Sequence, residues 1–238
     1  MKFRAIILDF DGLVLDSETP LFDIWADIYS THGQQLSLDD WQHALGTQGG
    51  FDPYEELVRR TEQAIDHASL VGHVSREHWR LCGEEPLLPG VRDRLAEAKA
   101  LGIGTAVASS SPAAWVRPWL DRHDLSAMTD VICTRDDVAR VKPAPDLFLL
   151  AAERLKVPPE ACLVFEDSPN GVRAAHAAGM PVVAVPRGLT KSLALPNPTL
   201  TIESLGAWTL PSLFERVTAA LVEAGARSDT STVEHDTI

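Results

Sequence analysis

The sequence predicts an α/β fold, a Rossmann-like parallel sheet flanked by helices, with an α-helical domain inserted near its start. Three observations carry this. Short, almost wholly apolar runs recur along the chain, the pattern of strands covered on both faces. Helical patterns separate them, and alternating strand and helix calls for crossover connections and a parallel sheet. One long stretch, residues 18–85, breaks the rhythm with helical periodicity and no strand-like run.

The first apolar run, residues 3–8, is interrupted only by Arg4 and ends at Asp9. Similar runs follow at 104–108, 131–134, 161–165 and 181–185, with helical patterns at 91–101, 113–123, 146–155 and 171–178. Within the inserted stretch, Trp25, Trp41 and Trp79 are expected in its own core or at its seam with the sheet domain. The Gly49-Gly50 pair and Pro53 divide that stretch, and Pro86 and Pro89-Gly90 mark the return to the α/β pattern. Residues 1–17 and 86–226 therefore form the core and 18–85 a helical cap. The polar, aperiodic end, 227–238, is expected to be a disordered tail.

At 238 residues, 45% apolar and 23% charged, the chain has the composition of an ordinary globular protein with room for a large core. No run approaches the roughly 20 apolar residues of a membrane span. The start, MKFRAIILDFDG, does not read as a secretion signal, because acids interrupt its apolar run. A cytoplasmic location follows as the expectation. Cys82, Cys133 and Cys162 read as buried, reduced thiols. A net charge of −13 argues against nucleic acid and anionic membranes as partners. It also means that a phosphate ligand needs a cation nearby.

In open α/β sheets ligands bind at the carboxyl ends of the strands. The first strand ends in Asp9-Phe10-Asp11-Gly12 and the second in Ser109-Ser110-Ser111. A crossover then delivers Lys142-Pro143, and the fourth strand ends in Glu166-Asp167-Ser168. Asp9 and Asp11 would point to one face of an extended chain. An isolated acid pair of this kind more often caps a loop, but here three further strand ends bring polar groups to the same edge. Four acids this close stay ionised only beside a cation, and hard oxygen donors suit Mg²⁺. Ser111-Pro112 reads as a helix cap followed by proline at the first helical position, which leaves Ser109 free for phosphate. Lys142 is the cation that the net charge demands. Asp146 and Ser168 are placed to cap the two helices that follow them.

Together DFDG, the serine ending the second strand, KPAPD and EDSPNG resemble the four motifs of the haloacid dehalogenase-like superfamily, over residues 1–17 and about 86–190. DFDGLVLDSE followed by a helical cap resembles the subgroup of β-phosphoglucomutase and small-molecule phosphatases. The resemblance implies that Asp9 is a nucleophile and Mg²⁺ ligand. Asp11 would serve as general acid and then general base, with its backbone carbonyl on the metal. Ser109, Ser110 and Lys142 would hold the transferring phosphoryl group. Asp167 would bind Mg²⁺, with Glu166 a direct or water-mediated ligand. The implied substrate is a small phosphorylated metabolite, turned over by a monomer through a phosphoaspartyl intermediate.

Three functions follow from that resemblance: phosphatase, phosphomutase and phosphometabolite-binding protein. Dehalogenation is disfavoured, because Asp11 and the metal-binding acids serve phosphoryl chemistry, and no expected catalytic residue is missing to favour mere binding. β-Phosphoglucomutases carry a histidine where this chain has Leu21, after Pro20. They carry cations around a cap glycine that matches Gly46, whereas Leu45, Thr47, Gln48, Gly49 and Gly50 are uncharged. They often carry lysine where this chain has Pro112. A mutase must grip a bisphosphate, so these departures favour hydrolysis. Glu18, Gln48 and Gly49-Gly50 are candidate substrate contacts. His67, His73 and His78 are spaced off any single helical face and read as surface residues. Trp115 and Trp119 read as packing residues.

Overall fold

The computed structural model describes residues 3–41 and 51–231. Six parallel strands, β1 (Ala5–Leu8), β2 (Gly104–Ala108), β3 (Val131–Cys133), β4 (Cys162–Glu166), β5 (Val182–Ala184) and β6 (Leu200–Thr201), form one sheet in the order β3-β2-β1-β4-β5-β6. β1 is central. Ala5 pairs with Gly104 on one side and Cys162 on the other, and Leu8 lies between Val107 and Phe165. Successive side chains of a strand point to opposite faces. Ile6 and Leu8 thus enter one apolar layer with Leu95, Val116 and Leu213, and Ala5 and Ile7 enter the other with Phe148 and Val172.

Those layers are built by α5 (Val91–Leu101), α6 (Ala113–Arg122), α7 (Asp146–Leu155), α8 (Pro169–Ala177) and α9 (Leu210–Ser231). The strands and helices expected from pattern are all present, with ends shifted by a residue or two. β6 was not foreseen, since a two-residue strand leaves no pattern. α9 is likewise absent from the patterns read in the sequence, and its last residues, 227–231, expected in a disordered tail, are helical, while 232–238 lie outside the described residues.

The caps differ from expectation in two of three cases. Ser168 does cap α8, accepting from the Gly171 backbone at 3.1 Å. Ser111 does not cap α6. The Ala113 backbone N–H donates instead to Asp136 at 2.8 Å, a partner invisible to local pattern. Asp146 is the first residue of α7, paired through both oxygens with Arg140.

Between β1 and α5 the described chain forms α1 (Glu18–Thr31), α2 (Leu38–Trp41), α3 (Pro53–Thr61) and α4 (His67–Cys82). α3 starts where Pro53 sits at its first position and Asp52 accepts from the Tyr54 and Glu55 backbones. These helices share their own apolar cluster, with Ile24, Trp25, Tyr29, Trp41 and Leu57 at its centre. Trp25 and Trp41 are therefore cap core, as expected. Trp79 stacks on Trp119 at 4.8 Å between ring centres and so marks the seam. The chain enters and leaves this insertion side by side, Leu15 bridging Leu87 and the Leu88 N–H donating to the Val14 carbonyl at 3.0 Å. The three cysteines are buried free thiols. No helix among the described residues is long and apolar enough to cross a membrane.

Candidate active site

The carboxyl edge of the sheet is where the chemistry collects. The Asp9 N–H donates to the Phe165 carbonyl at 3.0 Å, which extends the ladder one residue past β1 and fixes where its carboxylate emerges. Lys142, on the loop before α7, is only 2% exposed. Its ammonium donates to Asp9 Oδ1 and, at 2.7 Å, to Glu166 Oε1, and lies 4.7 Å from the centre of the Phe148 ring. A buried ammonium is tolerable only with such partners. Burial alone would lower the Lys142 pKa, but the two carboxylates outweigh it and raise it above the ordinary lysine value.

Glu166 is fully committed. Its Oε2 accepts from the Asp167 and Ser168 backbones at 2.8 and 2.9 Å and from the Ser168 hydroxyl at 3.0 Å. The turn that wraps it has no room for a side chain, since a Cβ on Gly171 would stand 1.6 Å from Glu166 Oε1. Gly12 answers the same constraint on the other side. At φ +80° its Cβ would fall 2.2 Å from Asp167 Oδ2.

Asp9, Glu166 and Asp167 bring carboxylate oxygens within 4.8 Å of one another. Burial, with help from neighbouring carboxylates, pushes the Asp9 pKa up to about 8 against the opposing pull of Lys142. The same causes raise Asp167 well above the carboxylate range. One lysine cannot neutralise three buried acids. The surplus charge and the hard oxygen donors fit a divalent cation of the Mg²⁺ type.

The Asp11 side chain is not part of that triad. Its Oδ1 accepts from the Ser17 hydroxyl at 2.7 Å and the Trp115 indole N–H at 2.8 Å. Its Oδ2 accepts from the Ser109 hydroxyl at 3.1 Å and the Ser111 hydroxyl at 2.7 Å. The metal role expected of Asp11 concerns its backbone carbonyl, and none of these four bonds involves that atom. Ser109 is fully buried beneath the site, its Oγ also accepting from the Ser111 N–H at 2.9 Å.

Above these groups opens a cavity of about 360 Å³. Asp9, Asp11, Ser110, Lys142 and Asp167 line its floor, Leu21, Trp25, Trp41 and Pro53 its cap side, and Arg135 its rim. Glu18 also lines it. Burial, with Asp11 and Asp9 nearby, raises the Glu18 pKa to about 8.

The sequence profile of the haloacid dehalogenase-like hydrolases matches residues 3–179 of this chain. The chain belongs to that family. It is 40% identical over 215 residues to YhcW of Bacillus subtilis (strain 168), whose phosphatase designation is provisional, covering 90% of this chain and 97% of that one. It is 34% identical to the phosphorylated carbohydrates phosphatase of Thermotoga maritima, over 74% of this chain and 82% of the other. The crystal structure of a CbbY variant from Rhodobacter sphaeroides in complex with xylulose-(1,5)bisphosphate superposes with a TM-score of 0.73 at 27% identity, covering 89% of this chain and 99% of that chain.

In this haloacid dehalogenase-like hydrolase, several site residues were not singled out as such by sequence. Trp115 was assigned to packing, yet its indole bonds to Asp11. Ser111 has the local pattern of a helix cap, and no local pattern marks Arg135 or Ser17. Thr190, from the chain after β5, donates to Asp167 Oδ2 at 3.2 Å. His78, expected at the surface, is half-buried. Its ring stacks on Trp115 at 4.5 Å and its Nε2–H donates to the Ser17 carbonyl at 2.7 Å. His67 packs edge-on against Tyr54, and His73 is exposed. Of the candidate cap contacts Glu18 lines the cavity, and Gln48, Gly49 and Gly50, like Leu45, Gly46 and Thr47, lie outside the described residues.

Proposed function

We propose that this hydrolase is a Mg²⁺-dependent phosphatase that cleaves a small phosphate monoester, of the sugar phosphate class, through a phosphoaspartyl intermediate on Asp9. The observation that carries the proposal is the buried Lys142 ammonium. It bridges Asp9 and Glu166 beside Asp167, at the floor of a cavity that Asp11 also lines. An ammonium has three donors. Two serve Asp9 and Glu166, and the third is left for a phosphoryl oxygen, with Ser110 on the cavity wall holding another and Ser109 supporting it from beneath through Asp11 and Ser111.

Asp9 attacks phosphorus in line while Asp11 gives its proton to the leaving oxygen, so the P–O bond to the substrate breaks as the bond to Asp9 forms. The ionised Asp11 then takes a proton from water. That water attacks phosphorus, releases inorganic phosphate and restores the Asp9 carboxylate. Asp9, Asp167 and the Asp11 carbonyl would hold Mg²⁺. Glu166, whose oxygens already accept four bonds, would act through water. Bound there, the cation supplies the positive charge that lets an anionic carboxylate approach an anionic phosphate. The rest is positioning.

Hydrolysis is favoured over mutase chemistry because Leu21 and Pro112, two of the positions that depart from the mutase pattern, line the cavity and offer no grip to a second phosphate. Phosphate release from a panel of sugar phosphates tests the proposal. It should vanish in Asp9→Asn and on chelation of Mg²⁺, and near-native turnover in either condition refutes it. Isomerisation of β-glucose 1-phosphate, in the presence of a bisphosphate activator, faster than phosphate release would reverse the choice between the two reactions.

A further inference from the structure

Four donors surround the Asp11 carboxylate, and they are not equivalent. Three are hydroxyls, from Ser17, Ser109 and Ser111, and a hydroxyl can turn from donor to acceptor. The fourth, the Trp115 indole N–H, can only donate. It is 2.8 Å from Oδ1. Whatever the protonation state of Asp11, the lone pair of Oδ1 that faces Trp115 is taken. The hydroxyls on Oδ2, from Ser109 and Ser111, can reverse and accept.

We infer that Trp115 is a positioning residue that fixes the rotation of the Asp11 carboxyl group, with Oδ1 held toward the indole and Oδ2 toward the phosphate-binding strand end. The inference rests on the acid–base role of Asp11 proposed above. In the first step the leaving oxygen takes its proton from Asp11, and the indole bond at Oδ1 holds the carboxyl group in the orientation that step needs. With the indole N–H gone, the carboxyl group can rotate and turn its acid away from the leaving oxygen.

The indole is itself held from the cap. His78 stacks on it at 4.5 Å with the rings 18° apart, and Trp79 packs edge-on at 4.7 Å. The same His78 donates to the carbonyl of Ser17, whose hydroxyl is the other donor to Oδ1. Asp11, Trp115, His78 and Ser17 thus close a ring of contacts that joins the loop after β1, α6, α4 and the start of the cap. Both donors to Oδ1 are braced by a single cap histidine, and neither donor to Oδ2 is.

The test uses Trp115→Phe, which removes the N–H and keeps a ring for His78 and Trp79 to pack against. Two probes of the same shape class, phenyl phosphate and 2,4-dinitrophenyl phosphate, differ in how much their departing oxygen needs a proton. kcat/KM covers the steps through leaving-group departure, so the hydrolytic second step does not enter. Each ratio of the two kcat/KM values is taken on one preparation, so a variant that folds less completely does not distort it. The expected result is a fall of about tenfold in the phenyl to dinitrophenyl ratio of Trp115→Phe, the scale of one hydrogen bond of about 1.4 kcal/mol. Asp11→Asn, measured alongside, should lower that ratio further. If Asp11→Asn lowers it and Trp115→Phe leaves it unchanged, Trp115 is packing alone and the inference is overturned. If Asp11→Asn itself leaves the ratio unchanged, the acid–base role of Asp11 falls, and this inference with it.

Discussion

Lys142 offers the sharpest quantitative test of the site. Replacing it with methionine keeps the bulk of the stem against Phe148 and removes the charge, leaving Asp9 and Glu166 buried without their cation. Removing one partner of a buried ion pair costs about 3–5 kcal/mol. For a chain of this size each kcal/mol shifts Tm by about 2–4 °C, so Lys142→Met should lower it by about 6–20 °C. The penalty is the stranded charge rather than the lost bond, which a second substitution can show. Glu166→Gln keeps an oxygen for the Asp167 and Ser168 donors and removes one negative charge. Lys142→Met with Glu166→Gln should therefore be more stable than Lys142→Met alone, while phosphate release stays lost in both. Thermal unfolding followed by the fluorescence of the six tryptophans, in chelator at neutral pH, reads the cycle. A single variant with native Tm, or a double variant less stable than the single, would refute the charge argument.

Three further outcomes follow from the same geometry. Mg²⁺ at about 100 times its Kd should stabilise the protein by about 2.7 kcal/mol, read as a rise in Tm that Asp167→Asn abolishes; an equal rise in that variant would move the cation elsewhere. Glu18 has a folded pKa of about 8, raised from 4.5 chiefly by burial. Below pH 4.5 it is protonated in both states and costs nothing; as pH climbs toward 8 the unfolded state ionises first and is favoured. Glu18→Gln should accordingly raise Tm at pH 8 and leave it unchanged near pH 4, and a gain equal at both pH values would refute the assignment. Gly171→Ala should cost several kcal/mol in urea unfolding and abolish turnover, because its Cβ cannot fit beside Glu166.

What sequence could reveal here was whatever repeats or sits at a strand end. The apolar runs and helical periods give five strands and the core helices α5 to α8 because each pattern is local; α9 has no such reading. Asp9, Lys142, Glu166 and Asp167 converge because parallel strands deliver their carboxyl ends to one edge. The residues that escaped are those whose partners lie far along the chain. Ser111 has the local signature of a cap, but its hydroxyl goes to Asp11, and Asp136 does the capping. Trp115 has the spacing of a packing residue and also does pack; only the fold shows that its N–H meets Asp11. β6 is too short to have a period at all.

The central place of β1 also has a price in time. Ala5 sits beside Gly104 and Cys162, so the strand that carries Asp9 must wait for β2 on one edge and for the later β4 on the other. At about 5–20 residues per second, β1 leaves the ribosome some ten to thirty seconds before β4 exists to receive it. For that interval an apolar strand with at least one unpaired edge has to be kept from its own kind. Shielding of β1 during synthesis is thus a demand separate from how stable the finished sheet is.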